Sequence, residues 1–326
     1  MTVPSARARL DVRAGPLDPG SVEAVLDVAA RAERLDGVAA LSEASRLALA
    51  GETVAETVHV LAWPVPGPGG GSELAGYAQR PNGTDAGELV VDPSARLRGI
   101  GGLLLDGLLD MGTAGVWAHG DLPGAQHLAT QRGMSVTRAL LQLTRSLGSP
   151  LPGADMPPGI RLATYQGPQD VAELLRVNSA AFVDLPDQSG WTGRDVAARV
   201  ATDWFDPAGL LLAWDGDALA GFHWTKAQSD ELGEVYVIGV DPAQQGRGLG
   251  QALLAAGLNH LREAGHTRVM LYVDESNVTA LRVYQRTGFE VARRDVVYAP
   301  PRSAGIGSAA GASTVIQPGS SGRLDS

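Results

Sequence analysis

One short stretch of this chain holds three features that could act together on a substrate. Glu234 is a carboxylate able to accept a proton. Downstream, Gln245-Gly246-Arg247-Gly248-Leu249-Gly250-Gln251 is a glycine-rich run that opens a helix. Unpaired N–H groups at the positive end of a helix dipole suit phosphate oxygens. Between the two lies Ile238-Gly239-Val240, whose small Gly239 would let a ligand approach the backbone. The pattern predicts a strand over 234–240, a turn at Asp241-Pro242, the loop, and a helix opening near Arg247. Apolar Val235, Val237 and Ile238 are expected to desolvate Glu234 and raise its proton affinity. The alternative is a strand-end carboxylate turned to solvent.

The elements that must position this unit follow from periodicity. In the first half, strands are expected over 9–12, 57–63, 73–79, 88–91, 115–118 and 138–145, and helices over 19–34, 42–50, 100–111 and 125–132. Asp18 is a candidate cap for the first helix. Residues 64–72 are mostly proline and glycine and read as a surface loop. Proline-rich 147–159 reads as a linker. The order then recurs: strands over 160–163, 210–214, 218–225, 234–240, 268–273 and 290–298, and helices over 170–181, 192–200 and 278–286. Residues 301–326 are Gly, Ser and Ala with almost no large apolar side chain, a composition that predicts disorder.

The halves match each other at three landmarks in one order. Val91-Asp92-Pro93 corresponds to Val240-Asp241-Pro242, Arg96-x-x-Gly99-x-Gly101 to Gln245-x-x-Gly248-x-Gly250, and Gln131-Arg132-Gly133-Met134 to Gln285-Arg286-Thr287-Gly288-Phe289. A tandem duplication accounts for all three. Domains are therefore expected over 1–146 and 160–300.

Spacing decides which phosphate loop this is. A Walker A loop ends in Gly-Lys-Ser/Thr, which neither copy has. The dinucleotide fingerprint would need its third glycine at Gln251. The pattern Q/R-x-x-G-x-G after Val-Asp-Pro instead resembles the pyrophosphate loop of the Gcn5-related N-acetyltransferases. Asn277-x-x-Ala280-x-x-x-Tyr284-x-x-x-Gly288-Phe289 resembles that family's second signature. The resemblance implies two tandem α/β domains, each a mixed, mostly antiparallel twisted sheet flanked by helices, with acetyl-CoA as co-substrate and no metal.

Acetyl transfer from a thioester to an amine needs a base for the ammonium proton, donors for the oxyanion, an acid for the leaving thiolate, and a held cofactor. Backbone N–H groups near 238–240 are the expected oxyanion donors. The resemblance implies Glu234 as base and Tyr284 as acid; for Tyr284 the alternative is an aromatic packed under the sheet. Tyr272 is a candidate cofactor or substrate contact, with core packing as its alternative. In the first copy, Ala129 falls opposite Tyr284 and Asp85 opposite Glu234. That copy is therefore expected to hold a CoA pyrophosphate without catalysing.

Composition narrows the partners. The 326-residue chain has 44% hydrophobic and 19% charged residues, as a globular protein does, and a net charge of -10 that argues against nucleic acid. With no cysteine it can form no disulfide, thiolate nucleophile or cysteine metal site. No apolar run reaches membrane-span length and no signal-peptide pattern opens the chain, so a cytoplasmic monomer without a membrane partner is expected.

A closer resemblance is carried by Gly221-Phe222-His223-Trp224-Thr225-Lys226, by the run 232–242, and by Pro186-Asp187-Gln188-Ser189-Gly190-Trp191-Thr192. These are similar to the mycothiol synthase family, tandem acetyltransferases that acetylate the cysteine amine of cysteinyl-glucosaminyl-inositol. The resemblance implies substrate contacts from Glu43, Asp187, Lys226, Glu234 and Tyr272. It implies acetyl-CoA contacts from 238–240, 245–251 and Asn277-Val278-Thr279-Ala280-Leu281-Arg282. In the first copy it implies Leu89-Val90-Val91 and Leu97-Arg98-Gly99-Ile100-Gly101-Gly102. Carboxylates and a lysine suit a polyhydroxylated amine; surface solvation is the alternative for Lys226 and Glu43. At Leu185-Pro186-Asp187-Gln188 the family pattern is His-Pro-Glu-Gln, so an imidazole is lost and a carboxylate shortened. Two other readings stay open: a tandem acetyltransferase for another small amine, and a CoA-binding module without turnover.

Overall fold

The computed structural model describes residues 8–49, 57–65, 73–81, 86–151, 153, 155–183 and 186–301; the side chains of residues 43, 44, 47, 186 and 187 fall outside that description. Asp85, Leu185 and the tail beyond 301 also lie outside it, as do the side chains of Glu43 and Asp187. The chain forms two compact units. One ends at Ala139 and resumes at Arg294; the other runs over Leu140–Arg293. Both divisions fall inside strands.

The first unit contains β1 (Ala8–Ala14), α1 (Pro19–Asp36), α2 (Glu43–Leu49), β2 (Thr57–Pro64), β3 (Gly76–Pro81), β4 (Ala86–Val91), α3 (Ile100–Asp110), β5 (Gly115–Ala118), α4 (Pro123–Gln131) and the start of β6 (Ser135–Ser146). Its sheet order is β1-β2-β3-β4-β5, completed beside β5 by the last strand of the chain, β12 (Glu290–Ala299). All neighbours are antiparallel except β4 and β5, which are parallel over Ala86–Glu88 and Gly115–Trp117. Asp18 caps α1 by accepting from the Ser21 N–H, and Gly37 ends it in the left-handed conformation.

The second unit repeats this order. It contains β7 (Ile160–Thr164), α5 (Val171–Ala181), a short helix α6 (Pro186–Ser189), α7 (Gly193–Val200), β8 (Leu210–Asp215), β9 (Ala218–Ala227), β10 (Leu232–Val240), α8 (Leu249–Glu263), β11 (Arg268–Asp274) and α9 (Val278–Arg286). Its sheet runs β7-β8-β9-β10-β11 and is completed by β6, antiparallel to β11. Again only the β10–β11 pair is parallel. This is the mixed, mostly antiparallel sheet with flanking helices that the sequence predicts.

Strand exchange is what the sequence does not predict. Each sheet is closed by a segment from the far end of the other copy's sequence. α6 is also new, in a segment to which the sequence analysis assigns no element. α8 opens at Leu249 rather than near Arg247, because Gly248 caps it with φ 79 and the preceding residues stay in the loop.

α8 carries the phosphate loop, and its seating on the sheet fixes where that loop lies. Leu253, Leu254, Leu258 and Leu261 are buried against β9, β10 and β11. His223 on β9 is wholly buried; burial lowers its pKa to about 4, so the ring is neutral and Nδ1–H donates to the Leu253 carbonyl at 2.8 Å. Gly257 lets the helix pass over that ring, since a β-carbon there would overlap the imidazole. Gly257→Ala should therefore destabilise the second unit by about 1–3 kcal/mol, although alanine is the better helix former. Denaturant unfolding checks this; a neutral or stabilising result would mean that the helix shifts freely on the sheet.

Candidate active site

Each phosphate loop is built from a short set of local bonds. Asp241 accepts from the Ala243 N–H at 2.9 Å and pairs with Arg176 of α5 at 2.5 Å. In the first unit, Asp92 accepts from the Ser94 N–H at 2.9 Å and pairs with Arg31 of α1 at 2.6 Å. Burial alone would push both carboxyls up, but these hydrogen bonds outweigh it and hold both below the usual range. The turn is thus locked the same way in both copies.

Beyond the turn the backbone doubles back. Gly246 and Gly248 have φ of 78° and 79°, with open space around both, and Arg247 is tied to Asp215 and to the Pro158 carbonyl. No side chain caps α8 at Gly248 or α3 at Gly99, so the first-turn N–H groups are left for a ligand. This fits a pyrophosphate. Leu97 holds the place of Gly246 with φ 59 and is fully exposed. A leucine there is strained, and the strain is held by the lock at Asp92 and by Arg96, which is paired bidentately with Asp36 at 2.8 and 2.6 Å.

The strand before the loop explains how a ligand reaches the base. β10 pairs with β11 only over Leu232–Glu234. Its register with β9 shifts between Val235 and Val237, making Tyr236 a bulge. From there β10 and β11 part, and 238–240, where the oxyanion donors are expected, lie beyond the β11 ladder. A side chain at Gly239 would meet Phe222, Ala181 and Phe182, so its smallness serves packing against α5, and what it offers a ligand is backbone.

Glu234 sits at the fork and is fully buried, not a solvent-facing strand end. Gln228 Nε2 donates to its Oε2. Lys226 faces it across the β9 ladder, and this lysine is buried too. Its ammonium lies over the rings of Trp204 (5.0 Å) and Tyr236 (5.5 Å). Arg199 stacks on Trp191 at 4.0 Å and donates to the Tyr236 hydroxyl at 2.9 Å. Trp191 and Tyr236 enter the sequence analysis only within family motifs, and Trp204 and Arg199 not at all; aromatics spaced over forty-odd residues show no pattern until the sheet gathers them.

Tyr284 is fully buried on α9, its ring edge-on to Phe289 at 5.6 Å. Asn277 caps that helix by accepting from the Ala280 N–H. Of the helix's other expected cofactor contacts, Ala280 is buried and Val278 exposed. Tyr272 is nearly buried, its hydroxyl 3.1 Å from both Gln142 Nε2 and Arg293.

The first unit departs at the same places. Ala129 is buried on α4 where α9 has Tyr284, so no phenol is available from that helix. β4 leaves β5 after Glu88, which the sequence reading passed over in favour of Asp85. Glu88 lies on the same strand face as Glu234, but it accepts from the Ser42 N–H (3.1 Å) and Ser45 hydroxyl (2.6 Å), and His119 Nε2 is 3.4 Å away. Burial would push Glu88 up, but the His119 charge and these bonds hold it below the usual range. His119 also lies 3.5 Å from Asp295 of β12. Burial would lower its pKa, but Glu88 and Asp295 raise it to about 9. A carboxylate so occupied is a poor base.

Comparison with known proteins identifies the family. The family model described as Acetyltransferase (GNAT) family matches residues 177–289. A mycothiol acetyltransferase of Thermobispora bispora is 46% identical over 289 residues, covering 86% of this chain and 96% of that one. Another, of Nocardia farcinica, is 49% identical over 296 residues, covering 87% and 95%. The chain belongs to the mycothiol acetyltransferase family. Among solved structures, a Gcn5-related N-acetyltransferase from Sphaerobacter thermophilus superimposes with a TM-score of 0.64 at 24% identity, covering 88% of this chain and 94% of that one. A tandem GNAT protein from the clavulanic acid biosynthesis pathway gives 0.63 at 18%, covering 88% and 98%. These two support the tandem fold. The protein is therefore an acetyltransferase with acetyl-CoA as co-substrate. No helix among the described residues is long and apolar enough to cross a membrane.

The charged array in the first unit sets a pH dependence. His119 gains its proton affinity on folding, from 6.5 to about 9, so its contribution is complete below pH 6.5 and is lost as pH rises through 9. Glu88, lowered from 4.5, contributes above pH 4.5 and loses that contribution under more acid conditions. The first unit should be most stable between about pH 5 and 7 and lose on the order of 3 kcal/mol toward pH 10. Thermal unfolding followed against pH checks this, and His119→Gln should flatten the alkaline limb.

Proposed function

We propose that the second unit transfers the acetyl group of acetyl-CoA to the cysteine amine of cysteinyl-glucosaminyl-inositol, forming mycothiol. The observation that carries this is the buried Glu234 at the β10–β11 fork, facing Lys226 and followed by an uncapped phosphate loop. The names of the 44–53% identical relatives point to the same acceptor.

Residues 245–251 and 277–282 hold the CoA, so that the thioester lies along 238–240. Glu234 takes the first proton from the substrate ammonium and passes it to solvent, and takes the second as the nitrogen attacks. The N–C bond forms, backbone N–H groups of 238–240 carry the oxyanion, and the C–S bond breaks as Tyr284 gives its proton to the thiolate. Lys226, Glu43, Asp187 and Tyr272 bind the polyhydroxylated acceptor. Asp187 is one methylene shorter than the family's glutamate and reaches less far. The protein acts as a cytoplasmic monomer, with 160–300 as the catalytic domain and 1–146 as a companion that holds CoA through Leu89, Val90, Val91 and 97–102. The occupied Glu88 and the alanine at 129 support a companion without turnover.

Glu234→Gln and Tyr284→Phe should each lower the rate by roughly 10²–10⁴-fold with CoA affinity nearly unchanged. Steady-state turnover and calorimetric binding measure the two quantities, and unchanged rates in both variants would remove the assigned roles. A panel of amines with acetylated products detected by mass tests the acceptor. Turnover of aminoglycosides or polyamines but not of cysteinyl-glucosaminyl-inositol would overturn it. Replacing Gly99 and Gly101 by alanine should leave most turnover intact; a folded variant with none would make the first unit catalytic.

A further inference from the structure

Glu234 has a partner whose role neither the fold nor the proposed chemistry explains. Gln228 stands one residue beyond β9, in the hairpin that leads into β10. Its own N–H donates to the Leu232 carbonyl at 2.9 Å, so it faces Leu232 across the hairpin. Two residues beyond Lys226, it therefore lies on the same side of the sheet as Glu234. From there its Nε2 reaches back and donates to Glu234 Oε2. Gln228 is exposed, whereas Glu234 is wholly buried. The hairpin that carries it is held by its backbone. The Ser229 N–H also donates to the Leu232 carbonyl, at 3.1 Å, and the Glu231 carbonyl accepts from the N–H groups of Thr267 and Arg268 at 3.0 Å, which ties the turn to the start of β11. A surface side chain is thus delivered to a buried carboxylate by a fixed turn.

Burial favours the neutral form of a carboxyl group, and a neutral carboxyl cannot take a proton from the acceptor. A donor to the ionised form opposes burial. On this side of the sheet Lys226 lies opposite Glu234 on β9, and its ammonium is shared with the rings of Trp204 and Tyr236. Tyr236 on β10 accepts from Arg199. On β11 Met270 is the ladder neighbour of Glu234, and Tyr272 beyond it accepts from Arg293. The hairpin adds two exposed carboxylates, Asp230 and Glu231. Against this background an amide supplies a donor without a charge. It keeps the carboxylate ionised while leaving it more basic than a second cation would. Glu88 shows the other extreme, bound by Ser42, Ser45 and His119. We propose that Gln228 is a positioning residue of the reaction, its amide holding Oε2 of Glu234 and keeping the base ionised over the neutral range in which the acceptor amine is acetylated. This rests on the reading of Glu234 as the base.

Gln228→Met keeps the length of the side chain and removes the donor. The acid limb of the kcat profile should then move to higher pH by roughly one to two units, the range of a hydrogen bond to a charged group. On the acid side of the profile the rate should fall about tenfold or more, while the alkaline plateau stays within about threefold of the parent. A limb that does not move, or a rate lowered equally at every pH, overturns the role of Gln228. The base is tested apart from it. If Glu234→Gln keeps the same acid limb in its residual turnover, the limb belongs to another group and the reading of Glu234 as base fails. The carboxyl can also be followed without turnover, in protein carrying ¹³C at the glutamate side-chain carboxyls, with Glu234→Gln assigning the signal. Glu234 should titrate at higher pH in Gln228→Met than in the parent. Equal midpoints in the two proteins overturn the proposal whether or not Glu234 is the base.

Discussion

A parallel strand pair that ends early is the constraint on which the rest of the catalytic unit depends. β10 and β11 are joined only over Leu232–Glu234. The extra residue at Tyr236 then turns β10 away. Were the ladder to continue, the outer edge of 237–240 would be paired within the sheet and closed to a ligand. The fork also decides what Glu234 is. It stands where the ladder stops, buried by the sheet on one side and adjacent to the cleft on the other. The same bulge swings the Tyr236 ring under the Lys226 ammonium and brings its hydroxyl to Arg199. Glu234, Lys226 and the parting of β10 from β11 therefore share one backbone irregularity.

The two units show how one frame can be kept while its chemistry is changed. The arginine–aspartate lock at the turn, the uncapped helix, the left-handed residues of the loop and the early fork occur in both. What differs is a handful of side chains. In the second unit the carboxylate at the fork is bonded by a glutamine from the end of β9; in the first it is bound by α2 and His119. Burial acts on both Glu88 and His119, but the charges around them set the direction in which each moves. Pairing Glu88 with an imidazolium converts a candidate base into a fixed counter-ion.

Loss of the phenol at Ala129 was legible from the repeat, because α4 and α9 end in the same turn and can be aligned by their glycines. The partner of Glu234 was not. Counting back from Asp92 leads to Asp85, three residues before Glu88; the bulge in β10 accounts for one of these, and the other two arise because the β4–β5 ladder runs closer to its loop. Only the ladders show that Glu88, and not a residue matched by number, stands at the fork and on the matching face. Likewise Lys226 could be read as a surface charge until β9 was seen to bury it against Trp204, a residue from an irregular segment.

By itself, then, the sequence determined the loop and the duplication, and the family resemblance that these carry implied the kind of reaction. The loop is written in local signals: an aspartate before a proline that caps its own turn, and glycines where φ must be positive. Each can be recognised within a few residues because the physical cause acts within a few residues. The tertiary structure alone decided where the units divide, with β6 and β12 each closing a sheet far from its own start in the chain, and which charged groups are free to act. Those outcomes depend on burial and on partners tens to hundreds of residues away, such as Asp295 beside His119, and short-range patterns carry no record of them.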